Sequence, residues 1–286
     1  MGLDQTKYCI FGAAPMAQPT REYFLSLNIF IGNVYGMSES AGPTTWQYWD
    51  DPNYRHNLLS SGQALRGCKI LIHNPDQFGE GEICYRGRNC FMGYYKAPSE
   101  TKGTMDSKGY VHSGDLGKLD ESQNLVITGR IKELIITGGG ENVAPVPIED
   151  KIKEALPFVS NVVVIGDKMK YLVALITLKH VDVAGQPTDE LSEITIDYLK
   201  TLGITDFKNK KAIYSNPALI KAIQEGIEKA NKAAVSRAAQ VRKWSFVNGD
   251  LSVAGGELTP TLKLKRKVVH QKYADIIESM YQDPKL

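Results

Sequence analysis

Tryptophan is scarce in this sequence, with 3 in 286 residues, and cysteine hardly commoner, with 4. The cysteines, Cys9, Cys68, Cys84 and Cys90, show no CxxC spacing, and the 5 histidines are scattered. Neither a disulfide framework nor a zinc-binding pattern is indicated, and reduced, partly buried thiols in a cytoplasmic protein are the expectation. An excess of one charge is also lacking: 34 Lys and Arg against 32 Asp and Glu leave a net charge of +2. That is too small to argue for nucleic acid or an anionic membrane as partner. The longest apolar runs, Val162–Ile165 and Leu172–Leu178, are far short of the roughly 20 residues that cross a bilayer, so no transmembrane segment is expected. The opening MGLDQTKYCI has neither a basic segment leading into an apolar one nor the Arg- and Ser-rich look of a transit peptide, so no targeting signal is expected there.

What is present is an ordinary globular composition, 42% hydrophobic and 23% charged, in a chain long enough for about two domains. From Lys7 to about Gly129, short β-branched runs alternate with Gly and Pro. Strands are predicted at Tyr8–Phe11, Ile29–Tyr35, Lys69–His73, Glu82–Arg86, Leu116–Leu119 and Asn124–Thr128, with one early helix at Thr20–Leu27. After Arg130 the character changes. A glycine triplet precedes a helix at Pro147–Leu156, strands at Asn161–Gly166 and Tyr171–Lys179, and amphipathic helices at Pro217–Val235 and Val268–Met280. The expected fold is α/β and α+β: a strand-rich part over 1–131, then a small α+β domain over 132–286 with helices on one face of a short sheet. Val183–Thr188 is expected as a surface loop.

Five stretches carry chemistry. Gly12-Ala13-Ala14-Pro15 ends a strand in residues small enough for a flat ring or acyl chain to approach the backbone. Tyr35-Gly36-Met37-Ser38-Glu39-Ser40 lacks the final glycine of a nucleophile elbow, which argues against an esterase. Its Glu39 offers hard oxygen to a magnesium ion on a polyphosphate. Gly81–Gly87 is followed by Tyr110-Val111-His112-Ser113-Gly114-Asp115, where an acidic residue after a glycine turn suits a ribose diol. Gly129-Arg130-Ile131-Lys132 leads into Gly138-Gly139-Gly140 at the change of composition, where a hinge would lie. Thr259–Lys267 is a basic loop near the C-terminus.

In this order and spacing the five stretches resemble the adenylate-forming superfamily of acyl-CoA synthetases, luciferase and peptide-synthetase adenylation domains. ITGRIKELIITGGGENVAPVPIED, ELTPTLKLKRK and GLDQ…GAAPM resemble, more closely, the bubblegum branch of long-chain acyl-CoA synthetases, along essentially the whole chain. The resemblance implies the C-terminal part of a large adenylation domain followed by a mobile lid. It also implies ATP, Mg2+ and coenzyme A acting with a fatty acid. Tyr35 would lie against adenine with Gly12, Ala13 and Ala14. Ser38 and Glu39 would serve the nucleotide phosphates and Mg2+, Glu39 holding the metal and acting as a catalytic residue, with Gly36, Met37 and Ser40 also among the cofactor-binding residues. Asp115 and Arg130 would hold the ribose, Lys132 would be the hinge, and Gly138, Gly139 and Gly140 would edge the pantetheine tunnel. Lys263 is the candidate for the mobile catalytic lysine, with Lys265 the alternative, since the family's glycine before that lysine is missing. Peripheral association with the endoplasmic reticulum membrane is implied by the resemblance alone.

The family's Ser/Thr/Gly-rich phosphate loop ending in Pro-Lys is not found in residues 1–286. Gly62–Lys69 has Cys68 where a phosphate loop needs lysine, and is expected to be a turn into a strand. A fragment or truncated product, incompetent for adenylation by itself, is therefore expected. Two other readings stay open: a non-enzymatic isoform or regulatory binding module, and a ligase for a different carboxylic acid.

Overall fold

In the computed structural model the described residues are 2–13, 16, 18–51, 54, 55, 57–183 and 186–282. The chain divides into two compact units, Met1–Glu133 and Leu134–Leu286.

The first unit is built from β1 (Cys9–Phe11), α1 (Gln18–Ser26), β2 (Ile31–Met37), β3 (Gly42–Trp46), β4 (Gln63–Ala64), β5 (Cys68–His73), β6 (Gly81–Gly87), α2 (Pro98–Thr104), β7 (Val111–Leu119) and β8 (Leu125–Arg130). They form two four-stranded sheets, ordered β1-β2-β3-β4 and β5-β6-β7-β8. β1 runs parallel to β2, and every other pairing is antiparallel. A small core of Tyr35, Ile83 and Leu125 is flanked by Ile70, Ile72 and Leu119. Each large apolar side chain taken out of water there contributes about 1.5–3 kcal/mol. The segment from Gly62 enters β5 through a turn with Gly67 at φ 89°. β7 begins five residues before the predicted strand, and α2 joins the one early helix that was expected. Pro98 sits in the first turn of α2, where its missing N–H costs nothing.

The second unit holds β9 (Ile135–Ile136), β10 (Asn142–Val143), α3 (Pro145–Ala155), β11 (Val159–Ile165), β12 (Leu172–Leu178), β13 (His180–Val183), β14 (Gln186–Leu191), α4 (Glu193–Thr201), α5 (Lys210–Tyr214), α6 (Pro217–Lys232), β15 (Val241–Phe246), α7 (Arg266–Lys272) and α8 (Ala274–Gln282). Its central sheet is β11-β12-β15, with β12 antiparallel to β11 and parallel to β15. Every residue of β12 is buried: six of its seven residues are apolar, and Thr177 meets its hydrogen-bonding needs through Asn161 N–H and Asp250. Val162, Val164, Ala174 and Ile176 pack with Ile152, Leu156, Leu219 and Ile223, whereas Val163, Ile165, Val173 and Leu175 pack with Val269, Ile277 and Met280. Helices thus cover both faces of the sheet, a correction to the expected one-sided layer. The expected C-terminal helix is also two helices, interrupted at Tyr273 with φ −113° and ψ 24°. The expected loop at Val183–Thr188 falls within a β13–β14 hairpin, its residues 184 and 185 lying outside the described residues. No helix among the described residues is long and apolar enough to cross a membrane.

Candidate active site

Asp115 is the focus of the first unit. It lies on β7 directly opposite Arg130 on β8, so the two side chains leave neighbouring strands at the same level. The Arg130 Nε stands 2.8 Å from Asp115 Oδ1, and Tyr35 Oη donates to Oδ2 at 2.9 Å. The carboxylate is 9% exposed and the guanidinium 52%, so one charge is nearly dry and its partner reaches solvent. Burial, then the Asp115 charge beside it, pushes the Tyr35 hydroxyl well above the ordinary tyrosine range. Tyr35 is therefore a permanent donor. Its ring belongs to the core with Ile83 and Leu125, so the residue expected against adenine is itself 7% exposed.

The turn before Asp115 is tied down from β6. Gly114 has φ 72°, a conformation only glycine adopts without strain. Its N–H donates to Glu82 Oε1 at 3.0 Å, Ser113 Oγ donates to Ile83 O at 2.6 Å, and Asp115 N–H donates to Ser113 Oγ at 3.0 Å. Glu82 and Ser113 were not singled out in the sequence. The signal available was that both lie in the glycine-flanked motifs Gly81–Gly87 and Tyr110–Asp115.

The Tyr35–Ser40 run leaves β2 through a bulge at Gly36, where a Cβ would collide with the carbonyl of Gly42. Ser38–Ser40 is a single 3-10 turn. Ser40 is buried and spent internally: its hydroxyl reaches the carbonyls of Met37 and Gly42 and accepts from Met37 N–H at 3.1 Å. Ser38 is exposed and Glu39 half-buried. Tyr94 Oη donates to Glu39 Oε1 at 2.7 Å, and Phe91 N–H donates to Glu39 O at 2.8 Å. Among the described residues Glu39 Oε2 makes no hydrogen bond, so a hard carboxylate oxygen is left for a cation, as Mg2+ requires. Tyr94 also lines, with Met92, Tyr95, Thr101 and Met105 among others, a surface depression of about 640 Å³. Gly12 follows β1, and Ala13 has φ 64°; Ala14 lies outside the described residues.

Lys132 is exposed in a 3-10 turn, Ile131–Glu133, at the end of the first unit. In the second unit Gly138, Gly139 and Gly140 are exposed in the turn between β9 and β10, with Gly138 N–H donating to Met169 O at 2.7 Å. Lys263 is exposed at the tip of a small hairpin: Thr259 N–H donates to Lys263 O at 2.8 Å, and Lys263 N–H to Thr259 Oγ1 at 3.0 Å. Lys265, also exposed, stands at the hairpin's base as the N-cap of α7. Leu262 has φ 59°, the left-handed conformation that the missing glycine would take freely.

Both ends of this hairpin are clamped. Glu257, 2% exposed, accepts from Lys272 Nζ, from Tyr273 Oη at 3.0 Å and from Ser252 N–H at 3.4 Å. Burial alone would raise the Glu257 carboxyl, but the hydrogen bonds from Lys272 and Tyr273 outweigh it and hold its pKa below the ordinary value. At the other end Arg266 makes a two-pronged contact with buried Glu149, 2.7 Å on each prong, a geometry that fixes orientation as well as charge. Glu149 Oε1 also accepts from Val164 N–H at 2.8 Å, joining the hairpin's exit to the central sheet.

Residues 2–95 match the AMP-binding enzyme family, and residues 132–203 and 200–285 match the AMP-binding enzyme C-terminal domain, over half the chain for the second alone. The chain belongs to this family of adenylate-forming enzymes. Among curated relatives it is similar to long-chain-fatty-acid–CoA ligase ACSBG2 of Gallus gallus, 49% identical over 99% of this chain and 37% of that protein. It is likewise similar to long-chain-fatty-acid–CoA ligase heimdall of Drosophila melanogaster, 44% identical over 99% of this chain and 44% of the relative. The chain thus spans less than half the length of these relatives. Among solved structures, the adenylation domain of a carboxylate reductase from Mycobacterium chelonae shares the fold, with a TM-score of 0.71 at 22% identity over 96% of this chain and 38% of that one.

Proposed function

We propose that this chain supplies the ribose-holding site and the lysine-bearing lid of a long-chain fatty acid–CoA ligase. In that reaction a fatty carboxylate oxygen attacks the α-phosphorus of ATP and expels diphosphate. The coenzyme A thiol then attacks the acyl carbonyl and releases AMP. The observation that carries the reading is the buried Asp115 carboxylate, fixed by Tyr35 and set across β7–β8 from Arg130. A carboxylate oriented in this way accepts from both hydroxyls of a ribose, and charge-assisted bonds of that kind are the strong ones. The long-chain fatty acid comes from the names of the relatives, to which this chain is 42–49% identical along its length.

Mg2+ neutralises phosphate charge when bound, and Glu39 is the residue that would hold it. Lys263 is proposed to bridge the carboxylate and the α-phosphate, concentrating positive charge where negative charge develops. Lys132 is the proposed hinge, about which the lid would exchange Lys263 for the Gly138–Gly140 turn beside coenzyme A. Cytoplasmic placement with peripheral attachment at the endoplasmic reticulum membrane goes with the same reading.

Isothermal titration with a non-hydrolysable palmitoyl-adenylate analogue tests it. Saturable one-to-one binding, weakened about 100-fold in Asp115→Ala, is expected; no binding, or equal binding by the variant, would sink the proposal.

A further inference from the structure

Behind the turn that carries Asp115, three metal-ligating side chains of different chemistry converge. Cys84 on β6 is the register partner of His112 on β7, and Glu82 lies two residues before Cys84 on the same strand. Residues two apart on a strand share a face. The side chains therefore gather on the face of this sheet opposite Ile83 and Tyr85. His112 Nδ1 lies 2.7 Å from Glu82 Oε2 and 3.4 Å from Cys84 Sγ, and all three donor atoms fall within 4.8 Å of one another. Donor atoms around a tetrahedral zinc ion, at metal distances of about 2.0–2.3 Å, stand roughly 3.3–3.7 Å apart. Small side-chain rotations bring the three onto one such shell.

A single proton on Nδ1 joins His112 to Glu82 but leaves Cys84 out. His112 Nδ1 carries at most one proton. If that proton points to Glu82, the Cys84 thiol finds no acceptor at the nitrogen. If the thiol donates to the nitrogen instead, an ionised Glu82 oxygen is left 2.7 Å from a nitrogen that has no proton to give it. A cation at the centre satisfies all three at once.

We propose that Glu82, Cys84 and His112 form a binding site for a thiophilic divalent cation of the zinc class, with water at the fourth position. His112 and Glu82 keep side-chain exposures of 24% and 18%, which leaves an entry from solvent. On binding, the Cys84 thiol proton leaves to solvent, the imidazole keeps its proton on Nε2, and Nδ1 ligates. The mixed sulfur, nitrogen and carboxylate set selects zinc-like ions over magnesium. Because Glu82 Oε1 also holds Gly114 N–H, the ion would lock the turn that sets Asp115. The donors come from adjacent strands, so their spacing along the chain gave no motif.

The test uses the purified 286-residue chain, stripped with chelator and titrated with Zn2+ against a chromophoric competitor, and separately with Co2+ as a spectroscopic probe. One tight equivalent is expected, with a thiolate-to-cobalt charge-transfer band. Cys84→Ser and His112→Asn should each weaken binding at least tenfold, on the order of the loss that even outer-sphere changes cause, whereas Cys90→Ser should not. Zn2+ should protect Cys84, but not Cys9, Cys68 or Cys90, from alkylation. Absence of the cobalt–thiolate band, or no metal-dependent protection of Cys84, overturns the proposal, and both readouts use the unsubstituted chain should a variant fail to fold.

Discussion

The two candidate functional sites solve opposite problems. Asp115 sits on β7 with each carboxylate oxygen engaged, one by Arg130 from the neighbouring β8 and one by Tyr35 from β2 of the other sheet. Lys263 is exposed, and among the described residues its ammonium makes no ion pair or hydrogen bond; what is restrained is the backbone beneath it, by Glu257 at one end and Arg266–Glu149 at the other. A group that recognises a constant part of the ligand gains from a preset geometry, since no ordering is then required on binding. A group that serves one of two steps gains from a firm base and a free tip. The difference implies that loss of Asp115 itself appears in affinity, whereas loss of a supporting contact, Tyr35 in the first unit or the Arg266–Glu149 pair in the second, appears in the stability of its own unit.

The largest effect should come from the clamp. Arg266→Ala leaves the Glu149 carboxylate buried without its ionic partner and should destabilise the second unit by about 3–5 kcal/mol. Amide hydrogen exchange of β12 would register that loss, while β6 and β7 stay unchanged. Next is Tyr35→Phe, which removes a donor to a buried charge. It should cost the first unit about 1.5–3 kcal/mol, read as faster exchange in β7 and β8 with β12 unaffected. Equal losses in both units from either variant would break the comparison.

The third effect depends on pH. Glu257 has a folded-state pKa below its ordinary value of about 4.3. Its contribution is therefore fully present above that value and lost as pH falls through the lower folded-state one. The unfolding midpoint of the parent chain should fall more steeply below about pH 4.3 than that of Glu257→Gln. A parallel decline in both proteins would remove Glu257 as the clamp. The smallest effect is a gain: Leu262→Gly relieves a left-handed residue that is 63% exposed. Strain relief of about 1–2 kcal/mol, reduced by glycine's greater unfolded freedom, should leave a rise of about 0.5 kcal/mol in urea titration.

How far these features were legible in the sequence follows from which interactions are local. Asp115, Arg130 and Glu39 stood out because each sits beside glycine turns with a restricted residue pattern. Their long-range pairings did not, although Tyr35 itself was among the expected site residues. Tyr94 reaches Glu39 across 55 positions and Tyr35 reaches Asp115 across 80, distances at which no spacing rule operates. The start of β7 was missed because His112-Ser113-Gly114 has the composition of a turn, yet its hydrogen bonds go to β6. β15, VRKWSF, carries charge that masks its pairing with the apolar β12. The helix break at Tyr273 was invisible for a similar reason: Tyr273 belongs to an unbroken amphipathic pattern, but its hydroxyl is committed to Glu257.

The most direct measurement is a thermodynamic cycle on the ribose contact. The palmitoyl-adenylate analogue and its 2′,3′-dideoxy counterpart would each be titrated into the parent chain and into Asp115→Ala. If Asp115 holds the diol, removing the hydroxyls should weaken binding to the parent about 100-fold and leave the already weakened variant nearly unaffected. Equal losses in parent and variant would mean that Asp115 acts elsewhere, and the proposed ribose site would be wrong.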